Sequence, residues 1–376
     1  MASRKIRTGP PATGKTASGR FSHPRPAGVQ VLPLVREKMI AQPGYPVRGR
    51  GPENVERLGD VPRVAWVRLL PLKRGTNADS GRRSEVRMLY GREKAWGEPN
   101  WQRRLGYWLL GELHIPGRLR SWHIIRALRA LGLWDETPRA LYDAGGGEGA
   151  FAFHVARRFP AWRVVIADNE EKTIARALRI KRALRLDNLE IRDVDLRAPG
   201  EENEYDIVIC ADVLEHIEED GLVVKHLGQA LKPGGALLVT SPSVPQPRHL
   251  PLVAWRERRI GFDPSDYGHV RQGYSEERLR ALFESAGLAV ESVRRTFGPA
   301  GTLMFDLFFV TGDSRPPPLI YAALFPLYMA LSIVDVMGPA RGGAAIFGIA
   351  RKRAAPAEWS RAAAPDATRA AASTIS

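Results

Sequence analysis

The segment Arg139-Ala-Leu-Tyr-Asp-Ala-Gly-Gly-Gly-Glu-Gly-Ala150 decides the fold of this chain. Its apolar run ends at Asp143, alternate glycines follow up to position 149, and Phe151–Ala156 continues with helical spacing. This order predicts a strand, a tight glycine turn and a helix. Glycine permits the backbone of such a turn and the close approach of a ligand. The free N–H groups at the start of the helix favour a carboxylate or a phosphate.

A second apolar run, Trp162–Ala167, ends in Asp168. In a fold that binds a nucleoside, a carboxylate about 20 residues after the glycine turn accepts hydrogen bonds from ribose hydroxyls. A glycine turn alone is a weak signal, but here the strand, the helix and the acidic residue all accompany it. The sequence therefore predicts a nucleoside-cofactor site built on the glycine turn and Asp168.

Two further motifs follow in order along the chain. They are Tyr205-Asp-Ile-Val-Ile-Cys-Ala-Asp-Val-Leu-Glu-His-Ile217 and Leu231-Lys-Pro-Gly-Gly-Ala-Leu-Leu-Val-Thr-Ser-Pro242. With the Asp143–Gly149 turn, they resemble the class I S-adenosylmethionine-dependent methyltransferases, in particular the branch that acts on small molecules, including quinone precursors. The resemblance covers residues 105 to 300. It implies a Rossmann-like methyltransferase fold and S-adenosyl-L-methionine as the cofactor, whereas a nicotinamide enzyme would share only the glycine turn.

The resemblance also implies roles for individual residues. The glycines admit the methionine part of the cofactor, Asp143 organises the turn, and Asp168 takes the ribose hydroxyls. For the adenine amino group, Asp195 followed by Leu196 fits the family spacing better than Asp193, and one of these two aspartates caps a turn. The expected cofactor-binding residues are Asp143, Gly145, Gly147, Gly149, Asp168, Asp195 and Asp212.

On the acceptor side, two histidines are candidate general bases for a hydroxyl acceptor. His269 lies in a Gly-His-Val-Arg segment that looks like the substrate-side loop of small-molecule members, and His216 ends the Asp-Val-Leu-Glu-His motif. Asp212, Glu215 and His216 would share a helical face, and similar sets hold a divalent metal in the quinone O-methyltransferases that this chain resembles. Internal packing of a strand end and a helix start is the interpretation we favour, so no metal ligand is assigned.

Strand-like runs alternate with helical patterns between residues 140 and 241, as a parallel sheet requires. We predict an α/β fold with a doubly wound, mostly parallel seven-stranded sheet and a helical insert before a last strand, Ala344–Ala350. The predicted organisation has a largely disordered basic arm (1–100), a methyltransferase domain (101–352) with a helical cap (101–132) and an apolar helical insert (302–340), and a disordered Ala/Arg/Pro tail (353–376).

The cap begins with an apolar helical face. Trp101, Leu105, Trp108 and Leu109 recur at helical spacing. In similar methyltransferases, helices just ahead of the glycine turn cover the cofactor and part of the substrate. Packing of the tryptophans on the sheet edge is an equally good interpretation.

Charge is distributed unevenly along the 376 residues. The net charge is +15, and residues 1–120 hold 24 Lys/Arg against 9 Asp/Glu, so the remainder of the chain is balanced. Because the basic residues are dispersed, we interpret the arm as a solvated tail and expect no nucleic-acid partner. The segment Gly9–Thr16 matches the phosphate-binding loop pattern but lacks the flanking strand and helix, so the match is due to chance.

The single cysteine, Cys210, lies in a strand-like run, so a disulfide framework is impossible and a small buried side chain is expected. This cysteine usage fits a reducing compartment, and no apolar signal core follows Met1. We therefore predict a cytoplasmic protein that contacts the inner membrane face peripherally.

The membrane prediction rests on the insert. Leu319–Met337 carries one charge and is long enough to span a bilayer. A single span would leave the last strand on the wrong side of the membrane, so we expect peripheral contact through 302–337 instead. A polar stripe on this helix suits a wet cleft and predicts a cap over the active site, with the first two of its members pointing toward the acceptor. Its members are Tyr321, Tyr328, Ser332 and Asp335.

The function that follows is S-adenosylmethionine-dependent, in-line methyl transfer to a small or lipid-like acceptor. Two alternatives stay open: an RNA methyltransferase that uses the basic arm, and a non-catalytic cofactor-binding or membrane-associated protein.

Overall fold

The structure is a computed structural model that describes residues 90–260, 268–311, 318–338 and 342–354. Most of the predicted basic arm, up to residue 89, and the predicted tail from residue 355 onward lie outside the described residues. The glycine turn, the Asp-Val-Leu-Glu-His motif and both candidate histidines lie within them.

A seven-stranded sheet forms the centre of the domain, in the order β3-β2-β1-β4-β5-β7-β6. The strands β1 to β5 are parallel to one another, and β7 runs antiparallel to both of its neighbours. This confirms the predicted fold class. The strands are β1 (Ala140–Ala144), β2 (Arg163–Asp168), β3 (Leu189–Asp193), β4 (Tyr205–Ala211), β5 (Leu231–Pro242), β6 (Ala289–Thr296) and β7 (Ala345–Arg351).

Helices cover both faces of the sheet, so its inner strands are buried on both sides and read as continuous apolar runs. Residues of α2, α3 and α4 pack on one face, and residues of α5 and α7 pack on the other. The helices are α1 (Trp101–Leu110), α2 (Ile115–Ala130), α3 (Ala150–Arg158), α4 (Glu171–Leu184), α5 (Asp220–Ala230), α6 (Pro251–Ile260), α7 (Glu276–Ser285), α8 (Pro299–Val310) and α9 (Pro318–Met337).

The strand order reverses direction between β1 and β4. From β1 the chain proceeds outward to β2 and β3, whereas β4 and β5 extend the sheet on the opposite side. In open α/β sheets, ligands bind in the crevice outside the carboxyl ends of the strands at such a switch point. The fold therefore places the binding crevice at the ends of β1 and β4.

The apolar insert, α8 and α9, connects β6 to β7. Because β7 is antiparallel, its first residue Ala345 pairs with Pro242 and Thr296 at the carboxyl ends of β5 and β6. The insert therefore starts and ends at the edge of the sheet that carries the crevice. There α9 packs on α8 and on α2.

The two tyrosines of α9 take part in this packing. Both are buried: the Tyr321 hydroxyl donates to the Leu113 carbonyl at 2.8 Å, and the Tyr328 hydroxyl shares a hydrogen bond with the Thr311 hydroxyl at 2.7 Å. This differs from the expectation that they point toward the acceptor. The polar stripe marks the inner face of the helix, but it does not show which groups that face contacts.

Asp335 is the one charged residue of α9, and it is buried in a hydrogen-bonded pair with His123 of α2. Its carboxylate lies 2.9 Å from His123 Nε2 on α2 and accepts a hydrogen bond from the Gly301 N–H of α8 at 3.0 Å. The His123 ring also stacks on Phe297. These contacts connect α9 to both of its neighbouring helices.

The outer face of α9 is apolar and exposed. Its exposed side chains include Ile320, Leu327 and Val334, the last of them 59% exposed. Within the described part of the chain, the segment Ile320–Met337 is long and apolar enough to cross a membrane by length and composition. The polar stripe thus faces the protein, and the apolar surface faces outward.

The apolar face of α1 is also exposed. Trp101, Leu105, Trp108 and Leu109 are each between 46% and 64% exposed, although both interpretations of the sequence would bury them. The helix instead buries Tyr107, whose ring lies 5.1 Å from the Lys94 ammonium group. Helical spacing correctly placed the four apolar residues on one face of α1. It did not show that this face is exposed and that the opposite face packs on the protein.

Candidate functional site

The glycine turn closes against the end of β2. The N–H groups of Gly145 and Gly146 both donate to the Ala167 carbonyl, at 2.8 and 3.1 Å. The Gly147 N–H donates to Asp168 Oδ2 at 2.9 Å. Local sequence thus folds the turn so that the Asp168 carboxylate lies directly beside the backbone that follows β1.

Two of the glycines are required for different reasons. Gly145 has a φ of +67°, and a Cβ atom there would lie 2.4 Å from a methyl group of Val213, so no side chain fits. Gly147 has a φ of +56°, and the space beside it is open. The left-handed backbone favours glycine at both positions, and the open side of Gly147 lets a ligand approach the main chain.

Asp143 is buried beneath the turn. A Cβ on Gly146 would lie 2.9 Å from its carboxyl group, so the turn wraps closely around this side chain. Burial, and then the nearby charge of Asp168, raises the pKa of Asp143 to about 7. A buried carboxyl with a raised pKa favours an adjacent cation, since an opposite charge stabilises its ionised form. The ammonium group of a bound methionine moiety is such a cation.

Asp168 has room for further hydrogen bonds. Its two oxygens accept from the N–H groups of Gly147 and Glu170, both at 2.9 Å. A carboxylate offers about four acceptor positions, so two remain for the hydroxyls of a ribose. The residue is only partly buried, at the carboxyl end of β2. Its position fits the predicted role.

The structure favours Asp193 over Asp195 for the adenine side. Arg197 engages the Asp195 carboxylate at 2.7 Å, lowers its pKa, and donates its own N–H to it at 2.9 Å. Asp195 therefore closes a turn. Asp193 is exposed at the end of β3, opposite Asp168 in register, and no other described residue forms a hydrogen bond with its side chain. The family spacing favours Asp195 instead, and its predicted role beside the adenine stays a prediction.

Asp212 has an unusual backbone at the end of β4. Its φ is +55°, which is uncommon for a residue other than glycine, and its N–H donates to the Thr240 carbonyl at 2.9 Å. Arg120 of α2 forms an ion pair with its carboxylate. Arg120 was not identified from the sequence, because a single arginine on a helix has no distinguishing pattern.

A cavity of about 150 Å³ lies between α2 and the glycine turn. The 3₁₀ turn Arg92–Trp96 closes one side of it through Lys94, which pairs with Glu148 at 3.0 Å and with Glu112 at 3.2 Å. The sequence predicted a helical cap over the cofactor, but it did not single out the polar residues that line this cavity. The lining includes Lys94, Glu112, His114, Arg120, Asp143 and Gly145.

The two predicted histidines lie side by side. The rings of His216 and His269 meet edge to face with their centroids 4.5 Å apart. His216 Nδ1 lies 3.0 Å from the Gly268 carbonyl oxygen, which can only accept a hydrogen bond, so Nδ1 carries the proton and Nε2 is left with a lone pair. Burial and the neighbouring His216 lower the pKa of His269 to about 4. One ring is thus fixed as a proton acceptor and the other stays neutral.

Glu215 lies beneath these rings. It is buried and accepts a hydrogen bond from the Ser241 hydroxyl at 3.0 Å, and burial together with the charge of Asp212 raises its pKa to about 8. Ligand atoms of Glu215, His216 and His269 lie within 4.8 Å of one another. This set has the geometry for one divalent cation. The set that the sequence suggested contained Asp212, whereas the set in the structure contains His269 instead. The preference for no metal stays a prediction.

Comparison with known proteins agrees with this geometry. Residues 117–293 match the family described as a methyltransferase domain. The matched segment, residues 117–293, is thus similar to the methyltransferase domains that use S-adenosyl-L-methionine as their cofactor. This confirms the class of enzyme that the motifs indicated.

The relatives that match are distant. A mitochondrial ubiquinone biosynthesis O-methyltransferase of Rattus norvegicus is 29% identical over 24% of this chain and 26% of its own length. A "Probable S-adenosylmethionine-dependent methyltransferase" of Mycolicibacterium smegmatis is 30% identical over 45% of this chain and 59% of its own. A ubiquinone biosynthesis O-methyltransferase of Neisseria meningitidis is 26% identical over 47% and 76%. The chain thus spans between a quarter and three-fifths of the first two.

Among solved structures, the phosphoethanolamine N-methyltransferase 2 of Haemonchus contortus in complex with S-adenosyl-L-methionine is similar at a TM-score of 0.45. It is 18% identical and covers 62% of this chain and 53% of its own. The [4+2]-cyclase SpnF is 18% identical, with a TM-score of 0.44, and covers 63% of this chain and 81% of its own.

Replacing Asp168 by alanine should weaken binding of S-adenosylmethionine by about 1–3 kcal/mol, the cost of leaving polar groups without partners. Asp187→Ala is the matched control, because Asp187 is an exposed aspartate in the loop after α4. Calorimetric titration of both variants measures the difference, and thermal unfolding verifies that each is folded. Equal affinity in the two variants would remove Asp168 from the cofactor site.

Proposed function

We propose that this protein methylates a hydroxyl group of a small, lipid-like molecule, with His216 as the general base. The observation that carries the proposal is the hydrogen bond between His216 Nδ1 and the Gly268 carbonyl at 3.0 Å. It fixes the tautomer in which Nε2 accepts a proton. A general base is needed for a hydroxyl acceptor and not for an amine that is already neutral, so this geometry supports O-methylation.

Bound S-adenosylmethionine supplies a methyl group that its sulfonium has already activated. The chain would hold it through the backbone of the glycine turn, with Asp143 near its ammonium group, Asp168 near its ribose and Asp193 near its adenine. The protein's main contribution is alignment of the two reactants and exclusion of water. Lys94 and Arg120 support the exclusion of water, because their ion pairs with Glu148 and Asp212 close the cap over the turn.

His216 Nε2 would take the hydroxyl proton of the acceptor as the new oxygen–methyl bond forms. The Gly268 carbonyl then stabilises the resulting imidazolium, since it accepts a hydrogen bond from Nδ1. The His269 ring lies against the His216 ring and stays neutral at physiological pH because its pKa is low. The proton thus has one acceptor, and the neighbouring ring adds no competing charge.

A lipid-like acceptor is supported by the outer face of α9. This helix presents exposed Ile320, Leu327 and Val334 at the edge of the sheet that carries the crevice. Exposed apolar patches mark interaction sites, and a bilayer surface suits a face of this kind. We include peripheral membrane contact through 302–337 in the proposal. Two of the relatives are named for ubiquinone biosynthesis, which is compatible with an apolar acceptor.

Incubation of the protein with methyl-labelled S-adenosylmethionine and separate organic and aqueous extracts of cells tests the proposal. We expect label in an apolar product that resists mild acid and carries a new methoxy group by mass spectrometry. Label in RNA would support the alternative that uses the basic arm. Cofactor binding with no label in any fraction would support the non-catalytic alternative.

A further inference from the structure

A second cavity, of about 370 Å³, lies on the outer side of α2. We call it the outer groove. Its described lining shares only Tyr90 with the cavity beside the glycine turn, and its volume falls in the range of roughly 300–1,000 Å³ that ligand pockets occupy. Apart from Tyr90, the residues that line the outer groove have no role in the proposed methyl transfer. The outer groove is lined by Tyr90, Trp122, Ile125, Arg126, Arg129, Trp134, His154, Arg158, Ile333, Val336 and Met337.

The walls of the outer groove are largely apolar. Trp122 and Trp134 contribute large flat surfaces, and the last turn of α9 contributes Ile333, Val336 and Met337. Met337 is 78% exposed, so the apolar lining continues to the surface. Such walls favour an extended hydrocarbon, because its burial removes apolar surface from water.

The rim of the outer groove is basic. Arg126, Arg129 and Arg158 line it, and its described lining contains no carboxylate. Arg158 is paired with Glu136, and Arg126 donates a hydrogen bond to the Val336 carbonyl. Within the described residues, the Arg129 side chain has neither a hydrogen bond nor an ion pair.

A further arginine adds to the positive potential. Burial, followed by the charge of Arg126, lowers the pKa of the Arg294 guanidinium on β6. Arg126 also donates to the Val336 carbonyl, so two interacting guanidinium groups lie close to the end of α9. An anionic group placed there gains charge-assisted hydrogen bonds.

We propose that the outer groove binds a single-chain lipid with an anionic headgroup. The chain lies against Trp122, Trp134 and the end of α9, and Arg126 and Arg129 hold the headgroup. The basic arm of the same chain is disfavoured as the occupant, because it would bring further positive charge to this rim. A nucleoside is disfavoured, since no carboxylate among the described residues lines the groove to accept from its hydroxyls.

Binding of oleate to the full-length protein tests the inference. A brominated fatty acid quenches tryptophan fluorescence when it is bound, and the readout is the recovery of fluorescence as oleate displaces it. Oleyl alcohol tests the chain alone and inorganic phosphate tests an anion alone. We expect saturable binding of oleate and much weaker displacement by either partial ligand. Arg129→Gln should weaken oleate binding about tenfold or more, the equivalent of one charge-assisted hydrogen bond.

Two comparisons make the result decisive. Arg182→Gln, on an exposed part of α4, removes the same charge far from the outer groove and should bind oleate like the wild type. Trp122→Phe should lessen the quenching by the brominated probe while the protein stays folded. Equal oleate affinity in Arg129→Gln and Arg182→Gln, or no saturable binding by the wild type, would overturn the inference. Methyl transfer is not part of either readout, so the proposed function stands or fails separately.

Discussion

Replacing His216 by alanine should lower kcat for methyl transfer by about 10²–10⁴-fold, the usual contribution of a general base. Affinity for S-adenosylmethionine should stay close to that of the wild type, because an interaction that is made only in the transition state affects kcat and not ground-state binding. The described lining of the cavity between α2 and the glycine turn does not include His216. Loss of the base should therefore lower kcat without weakening cofactor binding. Single-turnover kinetics with a labelled cofactor measures the chemical step directly.

His226→Ala is the matched control for this experiment. His226 lies on α5, outside the His216–His269 cluster, and its Nδ1 makes a long contact of 3.4 Å with the Leu196 carbonyl. We expect this variant to turn over like the wild type. If His216→Ala retained full activity while His269→Ala lost it, the base would be His269. If neither variant lost activity, base catalysis at this edge would be excluded.

Replacing Asp335 by alanine should lower the free energy of unfolding by about 1–3 kcal/mol, the usual cost of leaving a buried polar group without its hydrogen-bond partner. The remaining His123 is 1% exposed, and the Gly301 N–H loses its acceptor. The physical reason is that both groups stay buried without a partner. Urea unfolding in detergent-free buffer, followed by circular dichroism, measures the change.

The matched control is Val334→Ala, the neighbouring position on the exposed face of α9. A surface substitution of this kind changes stability by no more than about 0.5 kcal/mol. The double variant His123→Ala/Asp335→Ala should lose less than the sum of the two single variants, because contacting residues are coupled. A loss below about 1 kcal/mol for Asp335→Ala would contradict the packing of α9 on α2, since a neutral hydrogen bond alone is worth that much.

The glycine turn and the sheet could be predicted because their determinants are local. Asp143, Gly145 and Asp168 lie within one strand-turn-helix-strand unit, so spacing alone brings them together. The two histidines were also predictable, since both follow sequence motifs at the carboxyl edge of the sheet. Their contact through the Gly268 carbonyl was not, because it depends on how two separate loops meet.

Features that depend on packing between distant segments did not follow from the sequence. Arg120 pairs with Asp212 across 92 positions of the chain, and neither helical nor strand periodicity reports such a pair. Arg197 engages Asp195 and not Asp193, a difference that spacing does not report, and the role of Asp195 beside the adenine stays a prediction. Sequence spacing places candidate residues at the carboxyl edge of the sheet. Ion pairs with neighbouring side chains, which spacing does not report, then determine which carboxylates have no protein partner.

The position of β7 has a consequence for biosynthesis. This strand lies between β5 and β6, and yet it follows both of them in the chain. Until the ribosome has released Ala345–Arg351, β5 and β6 therefore lack their shared neighbour and expose unpaired N–H and C=O groups, which other chains can pair with. A nascent or truncated chain that stops before Ala345 has an open edge at β5 and leaves β6 without a paired strand. Such a product should be retained by chaperones or aggregate, even though its glycine turn and both histidines have already been synthesised.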